Sequence, residues 1–307
     1  MSEIKFTLQG VCQHTIPVRH WPTNKPRAVI IILHGLAEHS GRYQRLAVSL
    51  NKAGYAAVAI DHRGHGQETP VCSQGLFGYQ GGWQNLLSDV DQIHKKAVAL
   101  YPDIPVIVFG HSMGSFITLS WLLQRPEPLD GVVLSGSGYN SPLMLKLGAV
   151  IAAVECLRQG TNGHSKLIDT LTFGSYNSAF KPVRTAFDWL SRDKAEVDNY
   201  ITDPCCGFQG KNGLWRDMFT GLQPISSVKA LSRIQPKLPF YIFGGSMDPI
   251  GSQGRGLQKL SNKLAQAGIA NISLKIWPGG RHEMLNEINR DEVIASLIQW
   301  LDQQVPK

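Results

Sequence analysis

This chain of 307 residues predicts an α/β architecture: a doubly wound, mostly parallel sheet with one long helical insertion. Three observations carry that prediction. A unit recurs along the chain, made of a short apolar run, a Gly-bearing loop and a helical pattern. The first of these runs, Ala28 to Leu33, is β-branched and apolar on both faces, as a buried parallel strand is. The rhythm breaks once, for about ninety residues without a strand-like run, which is too long for a connecting loop.

In chain order, Ile4 to Leu8 and Cys12 to Val18 alternate apolar and polar residues, and predict an antiparallel edge hairpin. Ala28 to Leu33 (AVIIIL) is the first fully apolar strand. Tyr55 to Ile60 (YAAVAI) is the second, and Gly54 before it suits a helix C-terminus. A helical pattern from about Gly82 to Leu100 leads into the strand Val106 to Phe109. Gly131 to Leu134, Phe240 to Phe243 and Ile272 to Ile276 complete the strands. A closing helix is expected over Asp291 to Gln304, with Val293, Ile294, Leu297, Ile298 and Leu301 on one face. The break falls at residues 139–228, read as a helical cap over the end of the sheet. Residues 1–138 and 229–307 are then the core. Within the cap, Leu143, Leu147, Val150, Ile151, Val154 and Leu157 share a helical face. That face either packs on the core or serves the site.

Composition excludes several classes. Apolar residues make up 43% and charged residues 17%, so the chain can build a core and is not disordered. The net charge of +7 is spread out with no run of five Lys/Arg, so no nucleic-acid partner is expected. Cys12, Cys72, Cys156, Cys205 and Cys206 are odd in number and without framework spacing. Together with an N-terminus lacking signal-peptide character, they predict reduced thiols and a cytoplasmic location. No P-loop is present, and no G-x-G-x-x-G follows a strand, so no nucleotide cofactor is expected. Asp61, His62 and His65 crowd one Gly-rich loop and are read as stabilising it, so no metal is expected. The sequence carries no signal for oligomeric state.

The chemistry is concentrated in four loops. Gly110-His111-Ser112-Met113-Gly114 matches G-x-S-x-G, a pattern common by chance. Here it lies between the run VIVF and the helical pattern SFITLSWLL, which is the strand–turn–helix elbow that lifts a Ser hydroxyl above the sheet edge. A Ser hydroxyl needs a base to become a nucleophile. Asp248 follows the strand FYIF and His282 follows the strand ISLKIW, 34 residues later. Both occupy loops at strand ends, in the order Ser, Asp, His that this fold uses. Oxyanion donors are expected from the Leu36 N–H, after the His34-Gly35 turn, and the Met113 N–H.

Longer motifs add a resemblance. His34-Gly35-Leu36-Ala37-Glu38-His39-Ser40-Gly41-Arg42-Tyr43 resembles the H-G-x-x-E-H-S-G-R-Y motif of monoacylglycerol lipases and related lysophospholipases. Asp61-His62-Arg63-Gly64-His65-Gly66 is similar to their D-x-R-G-x-G loop, and the elbow matches their G-H-S-M-G. Phe180 to Thr185 and Phe187-Asp188-Trp189-Leu190-Ser191-Arg192-Asp193 resemble the bacterial lysophospholipase-like members. Leu36 departs from the small residue usual there and is expected to narrow the pocket; Gln67-Glu68 departs where a Ser is usual.

The resemblance implies the α/β-hydrolase fold, with a helical cap, and a cofactor-independent serine hydrolase. It implies an ester of one acyl chain with a small polar alcohol, such as a monoacylglycerol or lysophospholipid. It also implies that Glu38, Arg42 and His111 line the end of the site that holds the alcohol. From spacing alone, Glu38 and Arg42 equally suit an i,i+4 ion pair. A transient contact of the cap with a membrane surface is expected as well. The alternatives are a short-chain esterase or peptidase of the same fold, or a catalytically silent binding module.

Overall fold

The computed structural model describes residues 2–124 and 129–305. Eight strands form one sheet: β1 (Ile4–Gln9), β2 (Thr15–Trp21), β3 (Val29–Leu33), β4 (Ala56–Ile60), β5 (Val106–His111), β6 (Gly131–Ser135), β7 (Phe240–Gly245) and β8 (Ile272–Trp277). Their order is β1-β2-β4-β3-β5-β6-β7-β8. The β1–β2 and β2–β4 pairs are antiparallel, and all others are parallel.

Among the described residues the α-helices are α1 (Gln44–Lys52), α2 (Gly82–Leu100), α3 (Met113–Leu122), α4 (Pro142–Gln159), α5 (Lys166–Thr172), α6 (Lys194–Thr202), α7 (Asn212–Leu222), α8 (Val228–Leu231), α9 (Arg255–Gln266) and α10 (Arg290–Gln304). Alternation along the strands splits the apolar side chains between two cores. Val29, Ile31, Leu33, Val108 and Val132 face α2, α3 and α9. Ile30, Ile32, Ile107, Phe109 and Val133 face α1 and α10.

The edge hairpin forms, but its second strand is displaced from the expected start at Cys12. Residues Val11–Gln13 make a 3₁₀ turn in which Cys12 and Gln13 both have φ +56°, and left-handed backbone cannot continue a strand. The pairing therefore begins at Thr15 and runs on to Trp21.

Between β6 and β7 the chain is helical, with α4 to α8 and short 3₁₀ turns. Helix α4 packs against α7 through Leu145, Ala152 and Glu155. Its other face is bare: Leu143, Leu147, Val150, Val154 and Leu157 are 52–89% exposed. Ile151 does not belong to that face, because it turns to the flank and packs partly against the core.

Order in the sheet locates the site. β4 lies on one side of β3 and β5 on the other, so the strand order reverses at β3. Ligands of open α/β sheets bind beyond the carboxyl ends of strands at such a point.

Candidate active site

The turn that carries Ser112 is shaped by close backbone approach. A Cβ on Gly114 would lie 2.1 Å from the Leu33 carbonyl oxygen, and one on Gly110 would lie 2.5 Å from the Gly114 carbonyl oxygen. Only glycine lets α3 start this close to the end of β3. Ser112, between them, has φ +50° and ψ −118°, a conformation costing about 1–3 kcal/mol. Its surroundings hold it there. The Ser112 N–H donates to the Ser135 carbonyl at 2.9 Å, and the Ser115 hydroxyl donates to the Ser112 carbonyl at 2.6 Å. Met113 opens α3, so its N–H has no acceptor inside the helix.

His282 and Asp248, from the loops after β8 and β7, are in direct contact. His282 Nδ1 donates to Asp248 Oδ2 at 3.0 Å, which leaves Nε2 as the basic nitrogen. Asp248 is fully buried, and its other oxygen accepts the Ile250 N–H at 2.9 Å. Burial pushes the His282 imidazole down, but the Asp248 charge and hydrogen bond, with Glu283 and Glu38 adding to them, outweigh it. The net pKa lies above the ordinary histidine value. The two loops are also tied to each other: the Ser246 N–H donates to the Trp277 carbonyl and the Met247 N–H to that of Gly280, both at 2.9 Å.

Glu38 and Arg42 do form an ion pair, at 2.7 Å, with Arg42 on the 3₁₀ turn (Ser40–Tyr43) that precedes α1 and Glu38 just before it. The pair is part of a larger buried group. Glu38 also accepts the Gly35 N–H at 2.6 Å and the Tyr43 hydroxyl at 2.8 Å. Desolvation would raise its pKa, but Arg42 leads the charges that hold it down, to about 2. Arg42 donates twice more, to the two oxygens of Glu283, at 2.6 and 2.7 Å. His111 lies 4.8 Å from His282, ring centre to ring centre, and burial pushes its pKa down to about 4.

Ser112, His282, Leu36, Met113, Glu38 and His111 line one cavity of about 200 Å³. Its far side is apolar, with Leu145 of α4, Phe173, Trp189 and Trp215 among the walls. Leu36 stands in that wall, where its size was expected to tell. Arg42 lies behind, in a narrow polar pocket that shares Glu38, His111 and Glu283 with the cavity.

Two groups of residues were not singled out from sequence. Glu283 follows His282 directly and completes the Arg42 group, yet nothing local marks it. Residues 188–192 hold the His282 loop from about ninety residues away in the chain. The Trp189 and Leu190 carbonyls accept the His282 and Glu283 N–H groups at 3.3 and 2.8 Å, and the Trp189 ring lies 5.1 Å from that of His282. Arg281 donates to the Asp188 and Ser191 carbonyls. Glu287, fully buried, accepts the Arg281 N–H and Arg192 Nε, both at 2.9 Å. The FDWLSRD run was noted only as a point of resemblance. Asp61 accepts the Ser40 N–H and hydroxyl at 2.7 and 2.6 Å, and Arg63 holds Asp89 through two hydrogen bonds, so this loop is tied to its neighbours.

Comparison with known proteins agrees with the geometry. The family model described as serine aminopeptidase, S33, matches residues 24–289. The monoglyceride lipase of Mus musculus is 30% identical over 300 residues, covering 94% of this chain and 86% of the relative. The phospholipase YtpA of Bacillus subtilis is 26% identical, covering 93% and 99%. Among solved structures, a thermostable carboxyl esterase from Bacillus coagulans in complex with glycerol superposes with a TM-score of 0.91 at 26% identity, over the full length of both chains. The chain belongs to the serine aminopeptidase, S33, family, and is an α/β-hydrolase of the carboxylic-ester-cleaving kind.

Proposed function

We propose that the chain hydrolyses esters of a single acyl chain with a small polar alcohol, of the monoacylglycerol or lysophospholipid kind, through an acyl-enzyme on Ser112. One observation carries this reading: Ser112 and His282 share a cavity that is apolar on one side and lined by Glu38, Glu283 and His111 on the other. An acyl chain fits the first side and an alcohol the second. His282 takes the Ser112 proton as Oγ attacks the ester carbonyl, then returns it to the leaving alcohol. Asp248 fixes the imidazole tautomer and stabilises its cation. The Leu36 and Met113 N–H groups stabilise the tetrahedral oxyanion. Water activated by His282 then releases the carboxylic acid. The relatives' names, monoglyceride lipase and phospholipase, agree with such esters.

In the same reading, residues 139–228 act as a cap on a core of residues 1–138 and 229–307. Helix α4 walls the cavity with Leu145 on one face and offers an exposed apolar face on the other. That face suits transient contact with a lipid surface. No helix among the described residues is long and apolar enough to cross a membrane. All five cysteines are free thiols, which accords with a cytoplasmic setting.

A fluorophosphonate probe tests the nucleophile: it should label the wild type and leave Ser112→Ala unlabelled. Turnover of monoacylglycerol, lysophosphatidylcholine, short p-nitrophenyl esters and aminoacyl p-nitroanilides then sorts the substrates. The anilides are included because the family description names an aminopeptidase. Cleavage of anilides alone would overturn the ester reading.

A further inference from the structure

We propose that the alcohol end of this site rejects anionic head groups, and that Glu283 is the residue that makes it do so. The preferred ester then carries a neutral polyol. This rests on the ester reading above and deepens it.

The narrow pocket behind Ser112 and the acyl cavity meet at Glu38, His111 and Glu283. A leaving alcohol entering from the cavity faces these three side chains. The cation beside them, Arg42, is spent. Arg42 gives Nη1 to Glu38 and Glu283 at 2.7 and 2.6 Å and Nη2 to Glu283 at 2.7 Å, and stacks its face on Tyr200 at 4.9 Å. Two carboxylates share one guanidinium, so the group carries a formal charge of about −1. His111 does not offset it, since burial keeps that imidazole neutral near pH 7. The second arginine of the pocket, Arg45, is paired with Glu196 at 2.5 Å. Among the described residues, no other Lys or Arg lines either cavity.

A phosphate placed here would meet like charge at short range, away from bulk water, where repulsion is strong. A neutral polyol meets no such barrier, and its hydroxyls can donate to free lone pairs of the two carboxylates. Rejection of this kind discriminates by building unfavourable charge against the wrong ligand. Had Glu283 been neutral, Glu38 and Arg42 would balance, and the repulsion would vanish. Glu283 is thus the excess charge.

The test compares kcat/KM, below the aggregation concentration, for a monoacylglycerol and a lysophosphatidic acid with the same acyl chain. A second pair, 4-nitrophenyl butyrate and 3-carboxy-4-nitrophenyl butyrate, reads the same charge preference without a lipid. The wild type should favour the neutral member of each pair at least about 30-fold, and Glu283→Gln should cut that ratio at least about fivefold. Glu283→Asp, which keeps the charge, should retain most of the preference even where its rates are lower. A purely structural role would slow neutral and anionic members alike and leave the ratio unmoved. Equal rates on both members in the wild type would overturn the inference even if no variant folds. Should neither lipid be cleaved while the butyrate pair shows the preference and Glu283→Gln removes it, the lipid reading fails and the charge inference stands.

Discussion

The Ser112 turn, after β5, and the His282 loop, after β8, lie at the same sheet edge, yet they are held in place by different means. The turn at residues 110–114 is fixed by near neighbours: two glycines that permit contact with β3, the Ser115 hydroxyl three residues on, and the Ser135 carbonyl of the adjacent strand. The base loop at residues 278–287 depends on a segment some ninety residues away. Residues 188–192 supply carbonyls to Arg281, His282 and Glu283 and a guanidinium to Glu287. A motif that folds by its own geometry can be read from sequence. A loop shaped by a distant partner cannot, because neither partner reveals the other.

Both regions should be indispensable at the reacting groups. Ser112→Ala and His282→Ala are each expected to lower kcat by about 10³-fold or more, with the double variant little worse than either, since the two act as one unit. Steady-state kinetics on a short p-nitrophenyl ester checks this; a Ser112→Ala variant retaining a tenth of the activity would end the assignment.

The supports should separate them. Gly114→Ala places a methyl group where the Leu33 carbonyl stands, so the turn must shift and kcat should fall about 10²-fold, with a loss of about 3 kcal/mol in stability. Glu287→Ala leaves the Arg281 N–H and the Arg192 guanidinium without their acceptor. It should cost about 2 kcal/mol and lower kcat about tenfold, without touching the cavity wall. Equal tolerance of both substitutions in denaturant melts and kinetics would erase the contrast between local and distant support.

A pH profile sharpens the same point. In the proposed mechanism His282 acts as a base only when neutral, and the Asp248 carboxylate holds its pKa above the ordinary value. The rising limb of kcat/KM should therefore have its midpoint above pH 6.5, with activity gained as pH rises through it. In Glu287→Ala the loosened loop should move that midpoint downward, as the Asp248 contact weakens; an unmoved midpoint would mean that Glu287 supports the loop's stability but not the base.

The smallest effect is expected on α4, whose outer apolar face is exposed. Leu147→Asp should leave thermal unfolding and butyrate turnover unchanged, while turnover of long-chain monoacylglycerol in vesicles falls about threefold. Ile151 is a poorer probe, because it is partly buried and a charge there would disturb packing. Equal loss of both activities in a folded Leu147→Asp variant would remove the lipid-contact reading.

Much of the architecture was written in short-range pattern. Fully apolar runs marked β3 to β7, and the Ser112, Asp248, His282 order followed from where strands end, because a parallel sheet sends all its loops of one kind to one edge. The hairpin start was misjudged by three residues, since the left-handed turn at Cys12 and Gln13 has no glycine to announce it. Spacing left the Glu38–Arg42 pair open between a surface ion pair and a ligand contact; only the folded chain buries it and adds Glu283 from 241 residues away. Likewise the apolar stripe of α4 was visible, but whether it met the core or solvent was not. Periodicity records which side chains share a face; what that face meets depends on elements distant in sequence, and only tertiary packing brings those together.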